Sequence, residues 1–338
     1  MTERDETPVG INEVTYPSLK LRTRLMHKMK IRGINAALLS AVFLGLAPVF
    51  GKAAMGADKF SPFAVVALRT SIAALLLVLI LAVVNRRALY IYPAALYITA
   101  LAGAINGIGS IFYYIGLSKL NASVAQLLYS LYPFFVAFWL QLDRQPPTRL
   151  TMARIGVALV GVYFLTRGAT GFIDPVGAIF MLIAAALYAL HLPINQRALY
   201  DVPAPTVTVY TLLAMSAIVV PAYFIFDGSL PGKNAVWAPV LMLTAVTFFS
   251  RLTLFLGVKH IGGMQTALLG LAELIVAIVF SHLILGENFT GRQWLGLLGL
   301  GFSLLLVWFE KPPSSPPPTH GILGWLQPPD FPTDFYKH

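Results

Sequence analysis

There is no cysteine anywhere in the 338-residue chain. Disulfides, thiolate metal sites and cysteine nucleophiles are therefore excluded. Charge is nearly as scarce: Asp, Glu, Lys and Arg make up 11% of the residues, against about 25% in an ordinary soluble domain. So little charge cannot clothe a surface that faces water. Acids are the scarcer sign, 14 against 24 bases, for a formal net charge of +10. The bases form no patch interleaved with aromatics, which leaves no footing for DNA or RNA. No Gly-rich phosphate loop, metal-spaced His/Asp/Glu cluster or triad spacing is present, and no cofactor is expected.

Apolar residues account for 57% of the chain, in recurring runs of about 20 residues, the length that crosses the hydrocarbon layer of a bilayer. Ten helical spans are predicted, at roughly 33–54, 62–84, 93–117, 121–141, 150–167, 174–198, 205–226, 236–258, 262–285 and 290–309. Pro62, Pro93, Pro175 and Pro205 stand near helix starts, where a missing N–H costs nothing. Asn85-Arg86-Arg87, Arg144-Gln-Pro-Pro147 and Gly286-Glu-Asn288 are polar breaks. The first apolar run begins near Gly33, too late and too long for the h-region of a cleaved signal.

Orientation follows from the bases in short connections. Lys20, Arg22, Arg24, Lys28, Lys30 and Arg32 precede the first span, and Arg86, Arg87, Arg144, Arg149, Arg197 and Lys259 fall in the even-numbered connections. The odd-numbered connections hold single bases: Lys59, Lys119, Arg167, Lys233 and Arg292. Both termini are thus expected in the cytoplasm. The leader, 1–32, is read as a positive-inside determinant whose segment Leu19–Arg32 also suits anionic lipid. The tail, 310–338, carries Pro312, Pro313, Pro316, Pro317, Pro318, Pro328, Pro329 and Pro332 and is read as a disordered cytoplasmic extension.

The chain also repeats itself. Anchored on Val136-Ala137 and Val276-Ala277, an offset of 140 places Leu131 over Leu271, Pro133 over Glu273, and Gly156 and Gly161 over Gly296 and Gly301. Pro48 with Lys52 recurs as Pro193 with Arg197. Each half, 33–167 and 174–309, holds an odd number of spans, so the second copy is expected to lie upside down relative to the first. The fold class expected is all-α integral membrane, ten transmembrane helices as two inverted five-helix repeats, an arrangement suited to alternating access.

The stretch Leu268–Leu306, with Leu285-Gly-Glu-Asn-Phe-Thr-Gly-Arg-Gln-Trp-Leu-Gly296, resembles the end of an EamA-type half of the drug/metabolite transporter superfamily. Leu131-Tyr-Pro-Phe-Phe-Val-Ala137 and Arg69 match the first half of that family. The resemblance covers about residues 33–309 and implies ten helices, export of amino acids, metabolites or drugs, and a central cavity lined by helices one, three, four, six, eight and nine. Two departures stand out. Asp143-Arg-Gln-Pro-Pro147 replaces the usual Leu-Gly-Glu loop, and Leu274 stands where a proline is common.

Ionisable side chains inside spans are costly and usually face protein or water. Glu273 falls about 11 residues into span nine, near the midplane at 1.5 Å per residue. Arg251, late in span eight, is placed to reach it. Thr266, Gly270, Glu273 and Ala277 share one helical face, as do Gln126, Tyr129, Ser130 and Pro133 on span four. Tyr188, His191 and Asn195 share a face of span six, and Asn106, Ser110 and Tyr113 a face of span three. The expected substrate-binding residues are Glu273, Arg251, His191, Gln126, Tyr129, Asn106, Tyr188 and Asn195. Against this stand a purely structural Glu273–Arg251 tie and a packing role for His191. His282 reads as interfacial and Arg69 as a shallow packing or headgroup contact.

The functional expectation is a secondary transporter in the cell's plasma membrane. It exports a small metabolite, an amino acid or an aromatic compound, with the bilayer as its medium and protons as a candidate coupling ion. The alternative is a membrane-embedded lipid-modifying enzyme working through His191 and Glu273.

Overall fold

Proline and one-sided capping set most helix starts. The computed structural model describes residues 19–56, 59–166, 174–233, 235–276, 291–310 and 321–326. Eleven helices are named in chain order: α1 Leu19–Ala54, α2 Pro62–Val84, α3 Pro93–Lys119, α4 Ala122–Tyr129, α5 Tyr132–Leu142, α6 Arg149–Thr166, α7 Pro175–Leu199, α8 Ala204–Phe226, α9 Trp237–Ile261, α10 Gly263–Gly270 and α11 Gly291–Leu305. A turn at Leu271 leads from α10 into helical residues 272–276. Among the described residues there is no strand. Proline occupies the first turn of α2, α3, α7 and α8. The Ser61 hydroxyl caps α2 by accepting from the Ala64 N–H, and the Asp174 carboxylate caps α7 by accepting from the Val176 N–H.

Seven of the described helical segments are long and apolar enough to cross a bilayer, and Gly263–Val276 and Trp294–Phe309 are shorter apolar segments. The polarity of the molecule is reversed relative to a water-soluble one. Leu75, Leu79, Val83, Phe224, Ile225, Leu298 and Phe302 are exposed, whereas Arg69, Arg154, Arg197, Arg251, His191 and Glu273 are buried. Outward hydrocarbon with inward charge is the arrangement a lipid solvent demands.

The polar contacts at the helix ends sort the connections into two groups. At one end Lys30 Nζ donates to the Trp308 and Glu310 carbonyls, Thr206 Oγ1 donates to Ala88 O, Lys259 Nζ to Val202 O, and Arg197 pairs with Asp143 at 2.8 Å. At the other end Ser61 meets Asp227, Gly232 N donates to Lys59 O, Lys52 Nζ donates to Ser118 O, and Lys119 faces Asp174. Even-numbered connections thus meet one another, and odd-numbered connections meet one another.

Packing between the two halves is reciprocal. The first helix of one half lies on the third long helix of the other, α1 on α9 and α3 on α7. Like helices also meet like: α2 with α8, α6 with α11, α5 with α10. Close approach of α3 and α8 depends on Gly103, where a β-carbon would lie 2.5 Å from the Thr211 carbonyl and 2.6 Å from the Ala214 methyl.

Three boundaries differ from the sequence reading. Helix α1 starts at Leu19, not at 33; the basic stretch contains no helix breaker, and Lys, Arg, Leu and Met are all good helix formers. The fourth span is not one helix: α4 and α5 are separated at Ser130-Leu131. Pro133 lacks the N–H that would bond the Tyr129 carbonyl and its ring crowds it, which opens the helix there. The pseudo-equivalent break falls at Leu271 without a proline.

The third difference is in the tail. Residues 321–326 are packed on the bundle, with Leu323 and Leu326 buried and the Tyr97 and Trp325 rings 6.0 Å apart. The Leu323 N–H donates to Asp143 Oδ1 at 2.8 Å. Gly321 takes φ +141° and lies so near the Asp143 carbonyl and carboxylate that a β-carbon would sit 2.6 Å from both; the residue must be glycine on both counts. The remaining tail (311–320 and 327–338), residues 1–18, Arg167, Ala277, His282 and the 286–288 break lie outside the described residues.

Candidate functional site

The middle of the bundle holds a cavity of about 40 Å³, room for a few water molecules. Its walls come from both halves. Arg69 (α2), Asn106 and Tyr113 (α3), and Gln126 and Tyr129 (α4) belong to the first; Tyr188 (α7), Arg251 (α9) and Glu273 belong to the second. Leu44 and Ala47 of α1 close it on one side.

Six of the eight residues expected from the sequence meet here: Glu273, Arg251, Gln126, Tyr129, Asn106 and Tyr188. The other two do not line the cavity. His191 is fully buried behind the Tyr188 ring, their centroids 4.7 Å apart, with Phe255 on its other side. Its Nδ1 is engaged by the Tyr188 carbonyl and its Nε2 has no partner. Asn195 is buried beside α8, where its Oδ1 accepts from Thr211 Oγ1 at 3.1 Å.

Aromatic rings form the frame. Tyr113 packs edge-on against Tyr129 at 4.9 Å and against Tyr114 at 5.2 Å. Tyr129 meets Tyr188 at 5.4 Å and Tyr132 at 5.7 Å, and Tyr132 meets Tyr188 at 5.0 Å. The Tyr132 hydroxyl stands where a β-carbon of residue 270 would be, so Gly270 is what admits the ring. Tyr113 Oη donates toward Gln126 Oε1 at 3.4 Å, a long bond.

The charges are set within this frame. Arg69 stacks over the Tyr114 ring, 4.8 Å from its centroid, and donates from Nη1 to Thr247 Oγ1 at 3.0 Å. Arg251 lies 5.4 Å from the centroid of the Tyr188 ring. Stacking on a ring face stabilises a guanidinium and leaves its N–H edge free for an acceptor. Among the described residues Arg69 Nε, Arg251 Nε and Nη1, and Glu273 Oε1 are buried without partners. The ion pairs among the described residues are Lys119–Asp174, Arg154–Glu310 and Arg197–Asp143. Arg251 and Glu273 therefore share a cavity without forming the tie that their sequence positions suggested.

Sequence reasoning missed two parts of the site. Arg69, expected as a shallow packing or headgroup contact, does pack, over the Tyr114 ring, and beyond that expectation it reaches the cavity wall; what was legible was its matching arginine in the family pattern. Tyr114 and Tyr132 carry no polar periodicity and were invisible among the other aromatics. Among the described residues no group of three or more His, Cys, Asp or Glu is placed to hold a metal ion.

One family model matches most of the chain. The model of the EamA-like transporter family matches residues 31–167 and again residues 175–309. A protein named uncharacterized transporter YcbK, from Bacillus subtilis, is 26% identical over 59% of this chain and 67% of its own length. One named uncharacterized inner membrane transporter YicL, from Salmonella typhimurium, is 29% identical over 56% of this chain and 65% of its own. The chain thus spans about two thirds of these relatives. A solved crystal structure superposes with a TM-score of 0.63 at 18% identity, over 84% of this chain and 98% of the other, a likeness of fold.

Proposed function

The chain belongs to the EamA-like transporter family, and from that premise we propose that it exports a small organic metabolite across the plasma membrane by alternating access around the central cavity. The observation that carries the reading is a buried polar cavity to which both halves contribute charged side chains, Arg69 from one and Arg251 and Glu273 from the other. An architectural core has little use for three ionisable groups that share a cavity without forming an ion pair, because each is costly in a membrane interior.

Ten spans in two inverted five-span halves are the topology this mechanism needs. Its support is the reciprocal packing of α1 on α9 and α3 on α7, together with the separation of even from odd connections. Positive-inside bias assigns the even end, with both termini, to the cytoplasm. Inverted halves let one set of helices rock against the other around a fixed site, opening it to each side in turn. At about 40 Å³ the cavity has room for water and must widen to take a metabolite, which movement of one half against the other would provide. Glu273, which shares the cavity with Arg251 without an ion pair among the described residues, is the group we assign to proton coupling. It would take up a proton while facing one side and release it on the other.

The lipid-modifying alternative is not favoured: the family and the named relatives are transporters, and His191 stands behind Tyr188, away from the cavity. The reading is tested with purified protein in proteoliposomes under an imposed pH gradient, screened against pools of labelled amino acids and aromatic metabolites. Gradient-dependent flux that disappears when the gradient is collapsed is expected. Flux of no pooled solute, with or without a gradient, would remove the proposal.

A further inference from the structure

The cavity holds more positive than negative charge. Arg69 and Arg251 are both about nineteen-twentieths removed from solvent, at 7% and 5% exposure, and both line it. Among the described residues Glu273 is the single acid there. Among the described residues neither guanidinium is matched by a carboxylate, and nitrogens of both lack a partner. With Glu273 ionised, one positive charge is left over; with Glu273 protonated, two are. In either form a ligand of zero net charge leaves the excess where it was. An uncompensated charge in a low-dielectric interior is strongly unfavourable, and the partner that removes it is an anion.

The rest of the wall agrees. Stacking on Tyr114 and Tyr188 turns the guanidinium faces to the rings and presents their donor edges. Tyr113 and Gln126 add polar groups that can donate. Tyr113, Tyr129 and Tyr188 offer a contiguous aromatic surface, which fits a flat apolar body better than a hydrated one. We propose that the transported metabolite is a net-negative organic acid, a carboxylate on a planar or aromatic body, held between Arg69 and Arg251. The proposal rests on the transport reading for its biological sense but concerns the charge of the ligand alone.

Benzoate and phenylacetate serve as probes, with benzylamine as the matched cation and phenylalanine as the matched zwitterion. Binding is read first, as ligand-dependent thermal stabilisation of the full chain in detergent. Both carboxylates are expected to stabilise it, and the amine and the zwitterion to require at least about tenfold higher concentration. Losing one charge-assisted hydrogen bond corresponds to roughly tenfold or more in affinity, so Arg69→Gln and Arg251→Gln should each weaken the carboxylates by that much. Arg251→Lys, which keeps the charge, should recover part of the loss and shows that the site still folds. Equal or better binding of benzylamine or phenylalanine, or no binding of either carboxylate, overturns the proposal. The same probes are then followed in proteoliposomes. Carboxylates that bind but never move would sink the transport reading and leave the ligand class standing. Movement of the amine or zwitterion in preference to both acids would do the reverse.

Discussion

Glu273 and Arg251 show how far single residues can be read. Their depth, and the fact that pseudo-symmetry puts Pro133 opposite Glu273, single out the acid from sequence alone. Their relation is not legible, because helical periodicity fixes a face but not which of several facing groups a long side chain chooses. Arg251 chooses the Tyr188 ring. Since no ion pair is broken, Glu273→Gln should alter stability by less than about 1 kcal/mol, while proton-driven flux falls at least about tenfold. Melting temperature and uptake, measured on the same preparation, check this. A large loss of stability with flux retained would return Glu273 to a structural role. His191 and Asn195 teach the complementary lesson: both lie on the polar stripe of α7, but a stripe about 100° wide faces neighbouring helices as well as a cavity, and these two face Phe255 and Thr211.

Helix starts were legible because proline and caps mark them; the break between α4 and α5 was legible in principle from Pro133. Its partner at Leu271 was not, having no proline. The packed tail was the least legible element. Its proline density suggests disorder, and six residues, 321–326, carry the contacts that overrule it. They dock on Asp143, in the loop that departs from the family pattern, and Asp143 is the partner of buried Arg197. Leu323→Ala should cost about 2 kcal/mol or more, as for other buried leucines. Asp143→Asn, which strands a buried guanidinium, should cost about 3–5 kcal/mol. Denaturation in detergent ranks the two, and truncation after Lys311 should lower the melting temperature as well. At the α3–α8 contact, Gly103→Val should cost about 1–3 kcal/mol through overpacking, read in the same assay. An unchanged melting temperature there would mean that the two helices are not held as closely as the structure has them.

At the scale of the whole molecule, the distribution of Lys and Arg and the internal offset of 140 residues were enough to anticipate two related halves. They could not say that the halves interleave, because sequence similarity between repeats carries no information on which faces meet. The topology is checked with single cysteines, which are unambiguous in a chain that has none. Cysteines at 89 and 147 should react with an impermeant reagent only after lysis, and one at 232 in intact cells; the opposite pattern would overturn the assigned orientation. Interleaving also has a consequence in time. A ribosome delivers α1 some 180 residues before it delivers α9, the helix on which α1 comes to rest, and α3 waits likewise for α7. Until then the Ser40 hydroxyl lacks its native acceptor, the Ser250 carbonyl. The first half is therefore a client in waiting during synthesis, and quality control meets it before its partner exists.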